Sequence, residues 1–212
     1  MNTQEQQNKV LDIIIYLLEG YKNGKTLKSV NVDGDETILH SCGYLLNQTI
    51  RQYEIPKSHV FVSEKALETW KNISKNDIKN YAHRDIIQKE IEKPIEIDKY
   101  KGEEKRPSET IELKFGDKFV YNDVFTDEHI VTISNIIEEL CKLPEPHNYA
   151  SVKKVLDKIY ICKMLKSEDR KIKHRKKRSI EYKNVIMGEY CDVGITVVGF
   201  DYHINNQFFD KK

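Results

Sequence analysis

The chain has four cysteines, at positions 42, 141, 162 and 191, and no two of them form a CxxC pair. A tetrahedral zinc centre draws its thiolates from closely spaced pairs, so this spacing argues against a structural zinc site and reads as buried free thiols. Long apolar runs are also missing. The longest, residues 10–18, is interrupted by Asp12 and covers about half of the ~20 residues a bilayer requires. A cationic-then-apolar leader with a small-residue cleavage site is likewise not present, and the expectation is a soluble, cytoplasmic chain with no membrane partner. Phosphate-cradling and nucleophile-elbow patterns (GxxxxGK[ST], GxGxxG, GxSxG) do not occur, which leaves nucleotide-driven motors, dinucleotide oxidoreductases and α/β-hydrolases without support.

What the chain does have is charge, in both signs. Of 212 residues, 33% are charged and 39% hydrophobic, with a formal net charge of +1. Those proportions suit a globular chain with a real core and exclude wholesale disorder, collagen-like repeats and a disulfide scaffold. The near-neutral total conceals a segregation. Residues 151–183 hold 13 Lys and Arg against 4 Asp and Glu, a net +9, which leaves −8 for the remainder. Concentrated positive charge on a near-neutral protein points to a polyanionic partner.

Periodicity predicts an α+β chain: a helical N-terminal half, residues 1–93, then a small mixed half, residues 94–212. Val10, Leu11, Ile14, Leu17 and Leu18 repeat at helical spacing. A second stripe runs through Ile38, Leu39, Cys42, Leu45, Leu46 and Ile50. Ser63 caps a third helix carrying Ala66, Leu67, Trp70 and Ile73, and Asn76 or Asp77 caps a fourth carrying Ile78, Tyr81, Ile86 and Ile87. Beyond Pro94, Ile95 and Ile97 alternate with charged residues as in a short strand, and residues 99–107 form a polar loop. A hairpin is expected across 112–125, around Gly116–Asp117. Ser134 caps a helix at 135–143 and Ser151 caps another. Residues 159–165 are β-prone, Ser167 opens a helix with Glu168 and Asp169 in its first turn, and Ile195, Val197, Val198 and Phe200 make a final strand.

The chemistry concentrates in Asp127-Glu128-His129, bracketed by apolar residues at the end of a strand-like segment. Two carboxylates beside an imidazole are the equipment for metal-assisted phosphodiester hydrolysis. A second acidic element, Ser167-Glu168-Asp169, follows the β-prone stretch. A strand ending in acid-His, a loop, then a strand running into a helix that opens on an acid completes a ββα order.

On these residues, the tract from about 100 to 173 resembles divergent ββα-metal (HNH-type) nucleases, in which an acid replaces the second histidine. The resemblance implies that His129 is the general base and that Asn148 orients it. It further implies that Asp127 or Glu128, with Glu168 or Asp169, holds Mg²⁺, with Mn²⁺ as the substitute. Compact members have a shorter gap between the two elements and many carry CxxC knuckles; here a helix must be inserted and the knuckles are missing. Lys101, Lys163, Lys166, Arg170, Lys171, Lys173, Arg175, Lys176, Lys177 and Arg178 are the candidate phosphate contacts. The expected function is DNA cleavage, with RNA left open, by a homodimer with one catalytic unit per strand; a bacterial or phage restriction or defence role follows by analogy alone. A non-catalytic nucleic-acid binder and a protein-interaction adaptor are the alternatives.

Overall fold

The computed structural model describes residues 3–30, 36–100, 108–173 and 178–200. Along the chain run α1 (Thr3–Lys22), β1 (Thr26–Val30), β2 (Glu36–Ser41), α2 (Cys42–Arg51), β3 (Val60–Val62) and α3 (Glu64–Lys71). They are followed by β4 (Ile86–Gln88), β5 (Ile95–Tyr100), β6 (Ser108–Leu113), β7 (Lys118–Val120), α4 (Tyr121–Val124) and β8 (Phe125–His129). The last are α5 (Ile133–Cys141), α6 (Tyr149–Leu156), β9 (Ile161–Leu165), α7 (Lys166–Asp169) and α8 (Tyr182–Val185), which leads into a π-helical turn, Ile186–Tyr190. The class is α+β. No helix among the described residues is long and apolar enough to cross a membrane.

The chain divides into two compact units, each discontinuous in sequence. The first, Met1–Ile55 with Val131–Ile159, holds α1, α2, α5, α6 and the β1–β2 hairpin; the second is Pro56–Ile130 with Tyr160–Lys212. The boundary expected at 93/94 therefore lies inside the second unit. In the first unit the stripe Leu11, Ile14, Leu17 and Leu18 of α1 is buried, as are Cys42, Leu46 and Ile50 of α2 and Ile136 and Leu140 of α5. Close approach of α1 and α2 needs Gly20, where a Cβ would stand 2.6 Å from Cys42 Sγ.

In the second unit, β9 is the centre of a three-stranded sheet in the order β3-β9-β8, parallel to β3 and antiparallel to β8. On one side lies a core built on Trp70, Ile73, Ile87, Phe119 and Phe125; a second core gathers Ile130, Cys162, Met164, Ile186, Tyr190 and Ile195. Trp70 is ringed by Tyr81 and Phe125 at 4.7 and 5.6 Å between centroids, and its indole N–H donates to the Asn76 carbonyl.

Several expectations change on pairing. Residues 36–41 form a strand rather than the start of the second helix, and Ser41 caps α2 by accepting from the Tyr44 N–H. The fourth helix shrinks to a 3₁₀ turn, Ile78–Asn80, capped by Asp77. Ile86 and Ile87 sit instead in β4, where Ile87 is buried opposite Phe119 of β7. Gly116, at φ 86, and Asp117 do make a turn, but the strands beside it pair outward, β6 with β5 and β7 with β4, rather than with each other. Thr132 and Asn148, not Ser134 and Ser151, cap α5 and α6. The final strand reduces to an isolated bridge between Ser63 and Val197, and residues 101–107 of the polar loop lie outside the described residues.

Replacing Leu46, fully buried in the first unit, by alanine is expected to cost about 2–5 kcal/mol. Urea denaturation would show a lower midpoint at unchanged slope.

Candidate functional site

Register places the acid-acid-His segment. Asp127 lies opposite Lys163, Glu128 opposite Cys162 and His129 opposite Ile161. Successive side chains on a strand point to opposite faces, so Asp127 and Glu128 look in opposite directions and cannot share one ion. α7 follows β9 directly and packs against both β8 and β9, so the ββα order is realised as strand, antiparallel strand, one-turn helix.

On one face, Lys163 Nζ, at 5% side-chain exposure, meets Asp127 Oδ1 at 2.9 Å. It also donates to the Tyr81 carbonyl at 2.6 Å and stands 5.1 Å from the centroid of the Tyr121 ring. The Tyr121 hydroxyl donates to the same Asp127 oxygen at 3.0 Å. Burial first, then the charge of Asp127, push the Tyr121 phenol upward and keep it protonated.

On the other face, Arg178, with no exposed side chain, joins Glu128 at 2.6 Å and Glu189 at 2.8 Å. The same guanidinium donates to the His129 carbonyl at 2.9 Å and lies 5.8 Å from the Tyr190 ring centroid. Burial works against its charge, but Glu128 and Glu189 more than offset it, and its pKa rises above the ordinary arginine value. Glu189 comes from the π-helical turn, a distortion that re-aims side chains.

Glu168 is the third acid, 2% exposed. Its Oε2 accepts from the Ser63 hydroxyl at 2.6 Å and from the Leu165 N–H at 3.0 Å, closing the first turn of α7. Ser63 Oγ in turn accepts from the Ala66 N–H and caps α3. Between the acids sits Cys162. Burial drives its thiol well above the ordinary value, and the charges of Glu168, Glu128 and Asp127 add to the rise.

The structure thus brings Asp127, Glu128, His129, Glu168 and Asp169 onto adjoining elements. Asn148 belongs to the first unit, where its side-chain oxygen accepts from the Ser151 N–H, 2.9 Å away, as the cap of α6. Among the described residues no three His, Cys, Asp or Glu side chains assemble to hold a metal ion. As placed, the carboxylates do not fit the Mg²⁺ that the resemblance implies, because Lys163, Arg178, Ser63 and the Leu165 amide already answer them.

Two expected phosphate contacts are corrected. Lys163 and Arg178 are buried counter-ions, since a cation enclosed by a sheet and its helices survives only when paired. Lys166 is half-buried, and Arg170, Lys171 and Lys173 are exposed; Arg170 lies over the Tyr100 ring at 3.8 Å. Lys101, Arg175, Lys176 and Lys177 lie outside the described residues. Missed in the sequence were Ser63 as partner of Glu168, Tyr121 as donor to Asp127 and Glu189 as second partner of Arg178. One signal was available: a lone lysine inside the apolar run Ile161-Cys162-Lys163-Met164-Leu165 marks a buried cation that needs an acid opposite.

Family models, curated proteins and solved structures were compared with the chain and none matches, so the geometry alone carries the functional reading.

Replacing buried Arg178 by methionine leaves half-buried Glu128 and Glu189 without their cation and is expected to cost about 3 kcal/mol. Adding Glu128→Gln should cost less than the sum of the two single changes, a coupling that a double-mutant cycle in urea measures. Thiol labelling at about pH 8 should modify exposed Cys191 first. Buried Cys42 and Cys162 should react only after unfolding.

Proposed function

We propose that the chain acts on nucleic acid as a phosphodiesterase, a DNA endonuclease, centred on β8, β9 and α7. The observation that carries the reading is the antiparallel pair β8–β9 followed at once by α7, with the acid-acid-His segment at the end of one strand and Glu168 on the adjoining turn. Exposed Arg170, Lys171 and Lys173 follow that turn in the chain. In this reading the His129 imidazole takes the proton from the attacking water as general base. Arg170, Lys166, Lys171 and Lys173 hold the backbone phosphates on either side. A homodimer would place one such unit on each strand.

A second reading, nucleic-acid binding without cleavage, is favoured by one specific observation. Each of Asp127, Glu128 and Glu168 already has a partner within the protein, as in an electrostatic core that has only to hold its shape. The exposed cations serve either reading. Of the expected phosphate contacts, Lys163 and Arg178 are enclosed and Lys166, Arg170, Lys171 and Lys173 are the other described ones; four phosphate contacts give a slope of log K against log salt near about −3.6.

Supercoiled plasmid incubated with the protein and Mg²⁺, Mn²⁺ or EDTA separates the readings. The expected result is nicking or linearisation that His129→Ala abolishes while leaving salt-dependent DNA affinity in place. Retention of DNA with no cleavage under any cation would leave the binding reading. Failure to retain DNA or RNA at about 50 mM salt would overturn both and point to a protein-interaction adaptor.

A further inference from the structure

Beyond the acids, the second unit carries a ladder of aromatic rings, of which Phe61, Tyr160, Tyr182 and Phe200 pack against the second core while staying half-exposed. His59 closes the 3₁₀ turn Lys57–His59, Phe61 lies in β3, Tyr160 immediately precedes β9 and Tyr182 opens α8. The parallel register of β3 and β9 sets Val60 beside Ile161 and Phe61 beside Cys162, which brings His59 and Tyr160 side by side at the start of both strands. Their rings stack at 4.2 Å between centroids and 20° between planes. Tyr160 then stacks on Tyr182 at 3.9 Å and 23°. Phe61 flanks both tyrosines at 6.0 and 5.6 Å, and Phe200 meets Phe61 edge-on at 6.5 Å.

All five rings are only half-buried. A core ring loses its exposure to aliphatic neighbours, and edge-to-face contact is a common way to pack it. Here three rings lie nearly parallel, at the spacing of stacked bases. His59 is held by stacking, since its Nδ1 finds no hydrogen-bond partner among the described residues. Charge accompanies the ladder at both ends. Lys57 lies two residues before His59 and Lys183 directly follows Tyr182, and both are exposed. Tyr160 and Tyr182 also fall within the 151–183 tract whose net charge is +9. Aromatic faces interleaved with cations are the equipment for holding unpaired nucleotides, whose bases offer π-faces that a duplex conceals.

We infer that the His59–Tyr160–Tyr182 ladder is a stacking platform for unpaired nucleobases, so that the chain prefers single-stranded over duplex nucleic acid. The inference rests on the nucleic-acid reading above and adds the substrate class to it. A duplex would engage the cations but not the rings. A strand, or a duplex opened locally, would continue the ladder by laying a base against the half-exposed ring of His59 or Tyr182, with its phosphates toward Lys57 or Lys183.

The test is fluorescence anisotropy of an end-labelled single strand of about 12 nucleotides, as DNA and as RNA, against the DNA duplex of the same sequence, using the full chain. Wild type should bind the strand more tightly than the duplex. His59→Ala and Tyr182→Ala should each weaken strand binding by about five- to a hundred-fold and leave duplex binding almost unchanged. Tyr182→Phe, which keeps the ring, should stay close to wild type. Because His59→Ala probes the opposite end of the stack, it decides the matter if Tyr182→Ala does not fold. Whichever sugar is preferred, the ring dependence upholds the platform. Duplex and strand bound equally, with both alanine variants unchanged, would overturn the platform while leaving nucleic-acid binding intact. Loss in Tyr182→Phe equal to that in Tyr182→Ala would overturn it by assigning the effect to the hydroxyl. No binding to any of the three probes would overturn the platform together with the reading beneath it.

Discussion

The second unit is organised around two positive charges that water cannot reach. Lys163 and Arg178 both lie against the strand that carries Asp127 and Glu128, on opposite faces of it, and each is answered by one of those neighbouring acids. A buried pair of this kind adds little net stability over a well-packed apolar pair, yet losing one member is severe, because the other is left charged in a medium of low polarisability. Its larger effect is on register. A one-residue slip of β8 against β9 would exchange the faces of Asp127 and Glu128 and strand both cations at once. The β8–β9 pair is therefore held to one alignment by charge as well as by its apolar neighbours.

That arrangement also changes the meaning of the basic tract. Read as a string, residues 151–183 present a nearly uniform run of positive charge. Folded, the run is sorted: Lys163 and Arg178 turn inward as structural counter-ions, Lys153 pairs with Asp157 on α6, and Arg170, Lys171 and Lys173 remain outside. The cations that remain for a polyanion are fewer than a count of letters implies, and they belong to short elements flanking the sheet.

The parts of the fold legible in the sequence are those whose cause is local. Ser63 before Ala66, Leu67 and Trp70 announced α3, because a cap and a helical stripe act within one turn of each other. The strand character of 125–129 and 161–165 was equally visible, and so was the acid at the start of α7. What was not legible depended on distant partners. Ile86 and Ile87 fit a helical spacing until Phe119 supplies the strand opposite, and the Gly116–Asp117 turn names no partner for the strands it joins. At the candidate site, the acids and the imidazole were found by type and order. Their engagement by Lys163, Arg178 and Ser63 was not, because nothing in the spacing of 63, 163 and 178 marks them as neighbours of 127, 128 and 168. Asn148 illustrates the converse, a residue of the right type in the right order that serves as a helix cap.

Both compact units are assembled from segments far apart in the chain. During synthesis the opening helices emerge long before α5 and α6, which complete their apolar enclosure, and β3 waits for β9 across about a hundred residues. Neither half can close until most of the polypeptide has left the ribosome, so the nascent chain carries uncovered apolar stripes for much of its translation. Cutting the gene at the midpoint would yield two fragments, each holding incomplete portions of the fold, rather than two folded halves.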